Sequence, residues 1–409
     1  MNRSKSDWKV LLALCLVGVF SGFTAIAHEG PIHEAITWSA VRSSSGLSAF
    51  FSDQFGAASA PFLEAPQLVF VAERPMGPRH SPVNWLKIGS REEDYPWTRT
   101  KNHFYDPTKE PAIGLTDGPD FLGIPSFTWA SVRGGGGFVQ PNNDSWQNAR
   151  DYQLVGLTNA SSLTRNANIA HMLYSLGRVI HLNQDLTQPD HARNDNHLTD
   201  PLFRLHWGNG PVWIEPHGLR YYTNHPEWFP LRPRGWPSWR DAGFTNLHSF
   251  WDRDLYKGGA QALRDDAGFQ AGKQLGLAEF SNGNFLGEDA IYKEYFSPGD
   301  KHYFPFPSLE TSTDFRRWVP QTTLSGRYVA TEYLRNGVQG SRVFLSKIAD
   351  GVRVDHHSVL TYTAAKVPIA SLFWPSSRVR KVSSTINSTN VLNDYHLILL
   401  PKAIEYSAG

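Results

Sequence analysis

Between residues 164 and 187, apolar side chains recur at helical rather than alternating intervals. Ala170, Leu173, Tyr174, Gly177, Val179 and Ile180 fall on a face suited to burial, and the run stops just before Pro189, whose ring cannot continue a helix. The stretch EAITWSAVRSS, directly after His33, also reads as a helix, as does FQAGKQLGLAEFSN at residues 269–282. RYVATEYLRNGVQGSRVFLSKIADGV (residues 327–352) has room for two helices. HSVLTYTAAKVPIASLFW and YHLILLPKAIEYSAG add two apolar segments near the end of the chain. Strand-type alternation is scarce. The pattern predicts a mainly α architecture, a bundle-like single domain with any site lying between helices.

Two stretches interrupt that pattern. RGGGGFVQPNND carries four consecutive glycines, Gly134 to Gly137, and reads as a turn, because nothing around it resembles a phosphate loop. Residues 197–243 are rich in Pro and Trp, with little periodicity of either kind. So long an irregular insertion is typically functional or mobile. Its tryptophans (Trp207, Trp213, Trp228, Trp236 and Trp239) can wall a substrate cleft or form a lip facing a membrane, or simply pack together. Residues 300–409 are read as a helical C-terminal part, either within the same domain or as a lobe of their own. No internal repeat is visible.

The N-terminus changes how the rest is read. Arg3, Lys5 and Lys9 precede the apolar run VLLALCLVGVF, and Ala25-Ile26-Ala27 has the small-x-small form of a signal-peptidase site. Residues 1–27 are therefore expected to be a cleaved signal, with residues 28–409 forming the mature, secreted or periplasmic domain. The segment holds three basic residues and one acidic one, so its removal takes the net charge from +1 to −1. A nearly neutral protein has no global field that attracts nucleic acid or anionic lipid. The single cysteine, Cys15, lies inside the signal, which leaves the mature chain without a disulfide and makes bound metal a candidate staple.

Candidate ligands for such a metal occur in four separated clusters. HLNQDLTQPDH places His181 and Asp185 four residues apart, on one helical face, with His191 beyond Pro189 and able to fold back. NLHSFWDRD repeats the spacing with His248 and Asp252. EEDYPWTRTKNHFYDP holds Asp94 and His103, with Glu92 and Glu93 open as alternatives to Asp94. HEGPIHEA is the expected mature N-terminus, with His28 first and His33 sixth. A free α-amine has an ordinary pKa of roughly 7.7–8, so a metal can readily displace its proton. His197, His206 and Glu215 lie in the long gap before His248, but none has a carboxylate at the same offset. Asp190 reads as a bystander, and His171, His217 and His225 as structural or exposed.

Across these four motifs, in order, spacing and ligand type, the chain resembles the trinuclear zinc phosphodiesterases, which include bacterial zinc-dependent phospholipases C and fungal and plant single-strand-specific nucleases. The matched motifs span residues 28–252. HFYDP is similar to the phospholipase branch, while NLHSFWD is closer to the nucleases. The family begins with Trp where this chain would begin with His28, a departure that leaves main-chain chelation intact. The resemblance implies three Zn²⁺ ions. His28 (through its backbone), His33 and Asp185 would hold one, and Asp94, His103, His181 and Asp185 a second, with Asp185 bridging. His191, His248 and Asp252 would hold the third. The family also implies a role for Asp94 as a base toward the attacking water.

That ligand set is all nitrogen and oxygen, which suits hydrolytic zinc with open positions for water. The implied activity is phosphodiester hydrolysis, with a phospholipase C acting on phospholipid head groups as the first expectation. Its support is HFYDP, the near-neutral mature charge, and an aromatic lip suited to peripheral contact with a membrane. A single-strand nuclease is the alternative, using aromatic residues to stack bases. A non-catalytic zinc- or surface-binding protein is a third reading. A monomer without a stable protein partner is expected.

Overall fold

The computed structural model describes residues 30–56, 80–107, 109, 111–115, 123–134, 142–193, 244, 246–253, 275–285, 329–333, 339–349, 352–363, 380–385 and 389–409. The expected signal, His28, the Trp/Pro-rich insertion and most of the glycine run lie outside these residues. So does the first part of the helix expected at 269–282. Among the described residues, no helix is long and apolar enough to cross a membrane.

The described chain is mainly α-helical. In chain order it forms α1 (Gly30–Ser43), α2 (Ser45–Phe55), α3 (Pro82–Glu92), a 3-10 turn (Trp97–Asn102), α4 (Ser126–Ser131), α5 (Trp146–Thr158) and α6 (Ser162–Gln184). A second 3-10 turn (Asp185–Thr187), α7 (Pro189–Arg193), α8 (His248–Trp251) and α9 (Leu277–Asn284) follow, and α10 (Thr389–Ala408) closes the chain. Local chemistry sets several starts. The hydroxyls of Ser44, Ser81, Ser145 and Ser161 each accept a backbone N–H in the first turn of α2, α3, α5 and α6. Pro82 occupies the opening of α3, where its missing N–H costs nothing. Gly56 ends α2 in the left-handed region at φ 67°.

Three clusters of buried apolar residues position the helices. Trp85, Leu86 and Ile88 of α3 pack with Ile169, Leu173 and Tyr174 of α6 and with Phe51 of α2. Val179 and Leu182, on another side of α6, meet Trp129, Trp251, Leu277 and Tyr406. Ile32, Ile36 and Ala40 of α1 meet Leu400, Ala403 and Ile404 of α10. Each fully buried large apolar side chain contributes about 1.5–3 kcal/mol, so these clusters hold the frame and the polar residues between them need not. The α3–α6 crossing is unusually close. A methyl group at Gly89 would run into the backbone at Tyr174, and one at Gly177 into the backbone at Leu86. Only glycine at both positions lets the two helices approach this far.

In the segment read as two helices at residues 327–352, the described residues are instead strand. β1 (Val329–Tyr333), β2 (Gln339–Ala349), β3 (Val352–Thr363) and β4 (Arg380–Thr385) form an antiparallel sheet in that order. The register pairs Val329 with Val343 and Val343 with Val359, and it shifts between Leu345 and Ser346. The physical reason is in the composition. Four Val residues with Thr331, Tyr328, Tyr333, Phe344 and Ile348 favour strand, Gly337, Gly340 and Gly351 weaken any helix, and Asp350-Gly351 is a dipeptide favoured in tight hairpins. Residues 300–409 are thus not a purely helical part. α10 runs alongside β3 and packs on α1.

Candidate metal centre

Six of the nine sequence-predicted ligands converge between α1, the end of α3 and the end of α6. His33 is in the first half of α1, on the face turned to the core. Asp94 lies one residue beyond Glu93, the C-cap of α3, and His103 caps the 3-10 turn. His181 is in the last turn of α6. Asp185 keeps helical dihedrals (φ −58°, ψ −28°), so the four-residue spacing still brings both side chains to one face. Pro189 does not merely stop the helix, for it opens α7, which returns His191 to the same place. All six side chains are essentially excluded from solvent.

Asp185 lies at the centre. His33 Nε2 is 3.3 Å from its Oδ1. His103 Nδ1, His181 Nε2 and His191 Nδ1 are 2.6, 3.2 and 3.7 Å from its Oδ2. Asp94 Oδ1 faces the same space, 3.6 Å from His103 Nδ1 and 3.5 Å from His181 Nε2. Among the described residues, three overlapping groups can hold a cation: His33–His181–Asp185, Asp94–His103–His181 and His103–Asp185–His191.

The neighbouring atoms orient these rings. His33 Nδ1 is 2.6 Å from Gln184 Oε1, and His181 Nδ1 is 2.5 Å from the Ser90 carbonyl oxygen. A carbonyl acceptor on Nδ1 turns Nε2 of each ring toward Asp185. His33 and His181 stack at 3.8 Å between centroids, and His191 lies flat against Phe104 at 4.5 Å. The Tyr105 N–H donates to the His191 carbonyl oxygen at 2.9 Å, which fixes the strand-like segment after His103 to α7.

The electrostatics fit a cation. Two buried carboxylates face four imidazoles, and no carboxylate oxygen of Asp94 or Asp185 has a partner in hydrogen-bond geometry. Burial raises the pKa of Asp185, but His181, His191 and His103 outweigh it and hold it well below the usual carboxylate value. Burial works against a charge on His181, yet Asp185 and Asp94 hold its pKa well above the ordinary histidine value. For His33, burial and then His181 win, and the pKa is lowered. Buried anionic oxygens converging with nitrogen lone pairs are costly unless a positive charge sits among them. A divalent metal would supply that charge, and a nitrogen and oxygen donor set of this kind is one that zinc accepts. In this arrangement His33, Asp94, His103, His181, Asp185 and His191 are the residues able to hold it.

The remaining predicted ligands are placed differently. His28 lies outside the described residues. His248 and Asp252 join none of the three ligand groups. α8 is a single turn, and Asp252 beyond it is extended (φ −151°, ψ 131°), so helical spacing does not align the pair. Instead, the Tyr105 hydroxyl lies 3.2 Å from His248 Nε2 and donates to Asp252 Oδ2 at 3.0 Å. Burial and Asp252 also push Glu279 up to about 7.

The open choice among Glu92, Glu93 and Asp94 resolves geometrically. Glu92 accepts from the Tyr174 hydroxyl at 2.6 Å. Glu93 is buried beneath the site and accepts from Arg99, Arg178 and Trp129 at 2.7–3.0 Å. Burial alone would raise its pKa, but Arg99, Arg178 and His103 hold it at about 2. Asp94 is left as the carboxylate turned to the histidines. His171 stacks on Tyr152, in line with a structural role. Gln184, Tyr105 and the Ser90 carbonyl carry no recognisable sequence signal, because each acts through contacts distant along the chain. The chain matches no family model, and no curated protein or solved structure matches it.

Proposed function

We propose that the protein is a secreted zinc-dependent phosphodiester hydrolase, most closely of the phospholipase C type. One observation carries this reading. Asp185 presents one carboxylate oxygen to His33 and the other to His103, His181 and His191, so it could serve two ligand groups at once. The motifs that resemble the trinuclear zinc phosphodiesterases supply the substrate class.

Zinc bound here would supply a water acidified to a pKa of roughly 7, and thus a nucleophile at neutral pH. The chain's own residues do the rest. Asp185 holds the two ligand groups at a fixed separation. Asp94, at the edge of the cluster with slight exposure, orients an attacking water and accepts its proton. Tyr95 follows it directly and is 56% exposed, so the residue next to the candidate base offers an aromatic ring to solvent. Neutral charge and HFYDP favour a phospholipid head group over a nucleic acid. In the full proposal His28 completes the His33 group, and His191 with His248 and Asp252 would take a third ion.

Elemental analysis of the purified protein tests the metal. About three zincs per chain are expected, and none after gentle purification would end the reading. Hydrolysis of phosphatidylcholine and of single-stranded DNA, each with and without chelator, tests the substrate. Chelator-sensitive release of the phosphorylated head group supports the phospholipase. Cleavage of DNA alone would reassign the protein as a nuclease, and turnover of neither would leave a zinc-binding protein without this activity.

A further inference from the structure

Gln184 precedes Asp185 and is fully buried at the end of α6. Its carboxamide spans three elements. Oε1 is 2.6 Å from His33 Nδ1, and Nε2 donates to Thr37 Oγ1 at 3.0 Å and to Ser407 Oγ at 3.3 Å. His33 and Thr37 are one helical turn apart on α1, so a single side chain clamps that helix at two points of the same face. Ser407 is in the last turn of α10, more than two hundred residues away in sequence.

We propose that Gln184 is a positioning residue that holds His33 with Nε2 as its metal donor and ties that ligand to the C-terminal helix through Ser407. The proposal rests on the reading of His33 as a metal ligand. A neutral imidazole that binds metal through Nε2 must keep its proton on Nδ1, and that proton needs an acceptor in this buried place. An amide offers one acceptor oxygen and one donor nitrogen. With Nε2 directed to Thr37 and Ser407, the oxygen is the end left for His33. Thr37 and Ser407 thereby set which way the amide faces, and the amide sets which nitrogen of His33 faces Asp185. The end of α10 is in this way part of the support of the site, although it offers no ligand.

The test uses the full secreted chain, with zinc alone as the probe, in competition with a chromophoric chelator. Gln184→Met keeps the length of the side chain and removes the acceptor. It is expected to weaken zinc binding by about 10–100-fold. In ¹⁵N spectra of the metal-free variant, the His33 ring should lose its preference for the Nδ1–H tautomer. Gln184→Glu keeps an acceptor and should restore that tautomer and most of the affinity, a rescue that a purely structural role does not predict. Ser407→Ala leaves the core intact and should weaken zinc binding by a smaller factor. Wild-type affinity and tautomer in Gln184→Met would overturn the proposal. If that variant does not fold, unchanged affinity in Ser407→Ala would overturn the link to α10, and a wild-type His33 without the Nδ1–H tautomer would overturn the rest. Absence of zinc binding by the wild type would instead sink the proposed function, and this inference with it.

Discussion

Charge at single residues decides what this site can hold. Among the described residues, Asp185 is the carboxylate that approaches all four clustered imidazoles, so its two anionic oxygens matter more than its shape. Asp185→Asn is close to isosteric but uncharged, with one oxygen instead of two. It is expected to lose both metals of the bridged pair together, as read by elemental analysis, and loss of one alone would remove the bridging role. Glu93 acts differently, as a buried anion between two guanidiniums. Its pKa is depressed to about 2 from an ordinary 4.5, so its stabilisation is complete above pH 4.5 and fades as pH falls toward 2. That shift corresponds to roughly 3 kcal/mol. In chelator-treated protein, urea midpoints followed from pH 5 to pH 2 should fall steeply for the wild type. Glu93→Gln should begin less stable at pH 5 and show a shallower decline, and parallel curves would remove Glu93 from the acid response.

Between elements, the closeness of α3 and α6 sets the geometry of the ligands. Gly177 is one turn before His181, and Gly89 directly precedes Ser90, whose carbonyl takes the His181 ring proton at 2.5 Å. Gly177→Ala forces these backbones apart and should cost about 1–3 kcal/mol in urea unfolding while lowering metal uptake. Gly46→Ala is the control, since nothing lies within 4 Å of the added methyl, and it should be neutral or slightly stabilising. A Gly177→Ala protein with wild-type stability and metal content would show that the close crossing is not needed.

The same elements explain what could be read from sequence. His181 and Asp185 were legible because helical dihedrals persist through Asp185. His248 and Asp252 share that spacing, but a one-turn helix followed by an extended residue does not preserve a face. Spacing therefore carries geometry only where the helix continues. The role of Gln184 is set by partners far apart in the chain, at His33 and Ser407, and no local pattern announces such a contact. At residues 327–352 the helical reading passed over the β-branched and aromatic positions and the Asp350-Gly351 turn signal, and the described residues there are strand.

At the scale of the molecule, the site joins parts of the chain that the apolar clusters only partly connect. Its six candidate ligands run from α1 through the end of α3 and the first 3-10 turn to α6 and α7, and α10 is linked through Gln184. The sequence beyond the expected signal has no cysteine, so no disulfide can fasten these segments. A ligand that binds only the folded state stabilises it by mass action, about 2.7 kcal/mol at a free concentration one hundred times its dissociation constant. For a chain of this size, that is a shift of several degrees in melting temperature. Treatment with chelator should lower the wild-type melting temperature by that amount, and added zinc should restore it. Asp185→Asn, unable to hold the bridged pair, should melt near the chelated wild type and respond far less to zinc. Identical melting of the wild type with and without chelator would mean that the metal does not staple the fold, leaving α1, α6 and α10 to be held by their apolar faces and the hydrogen bonds of Gln184.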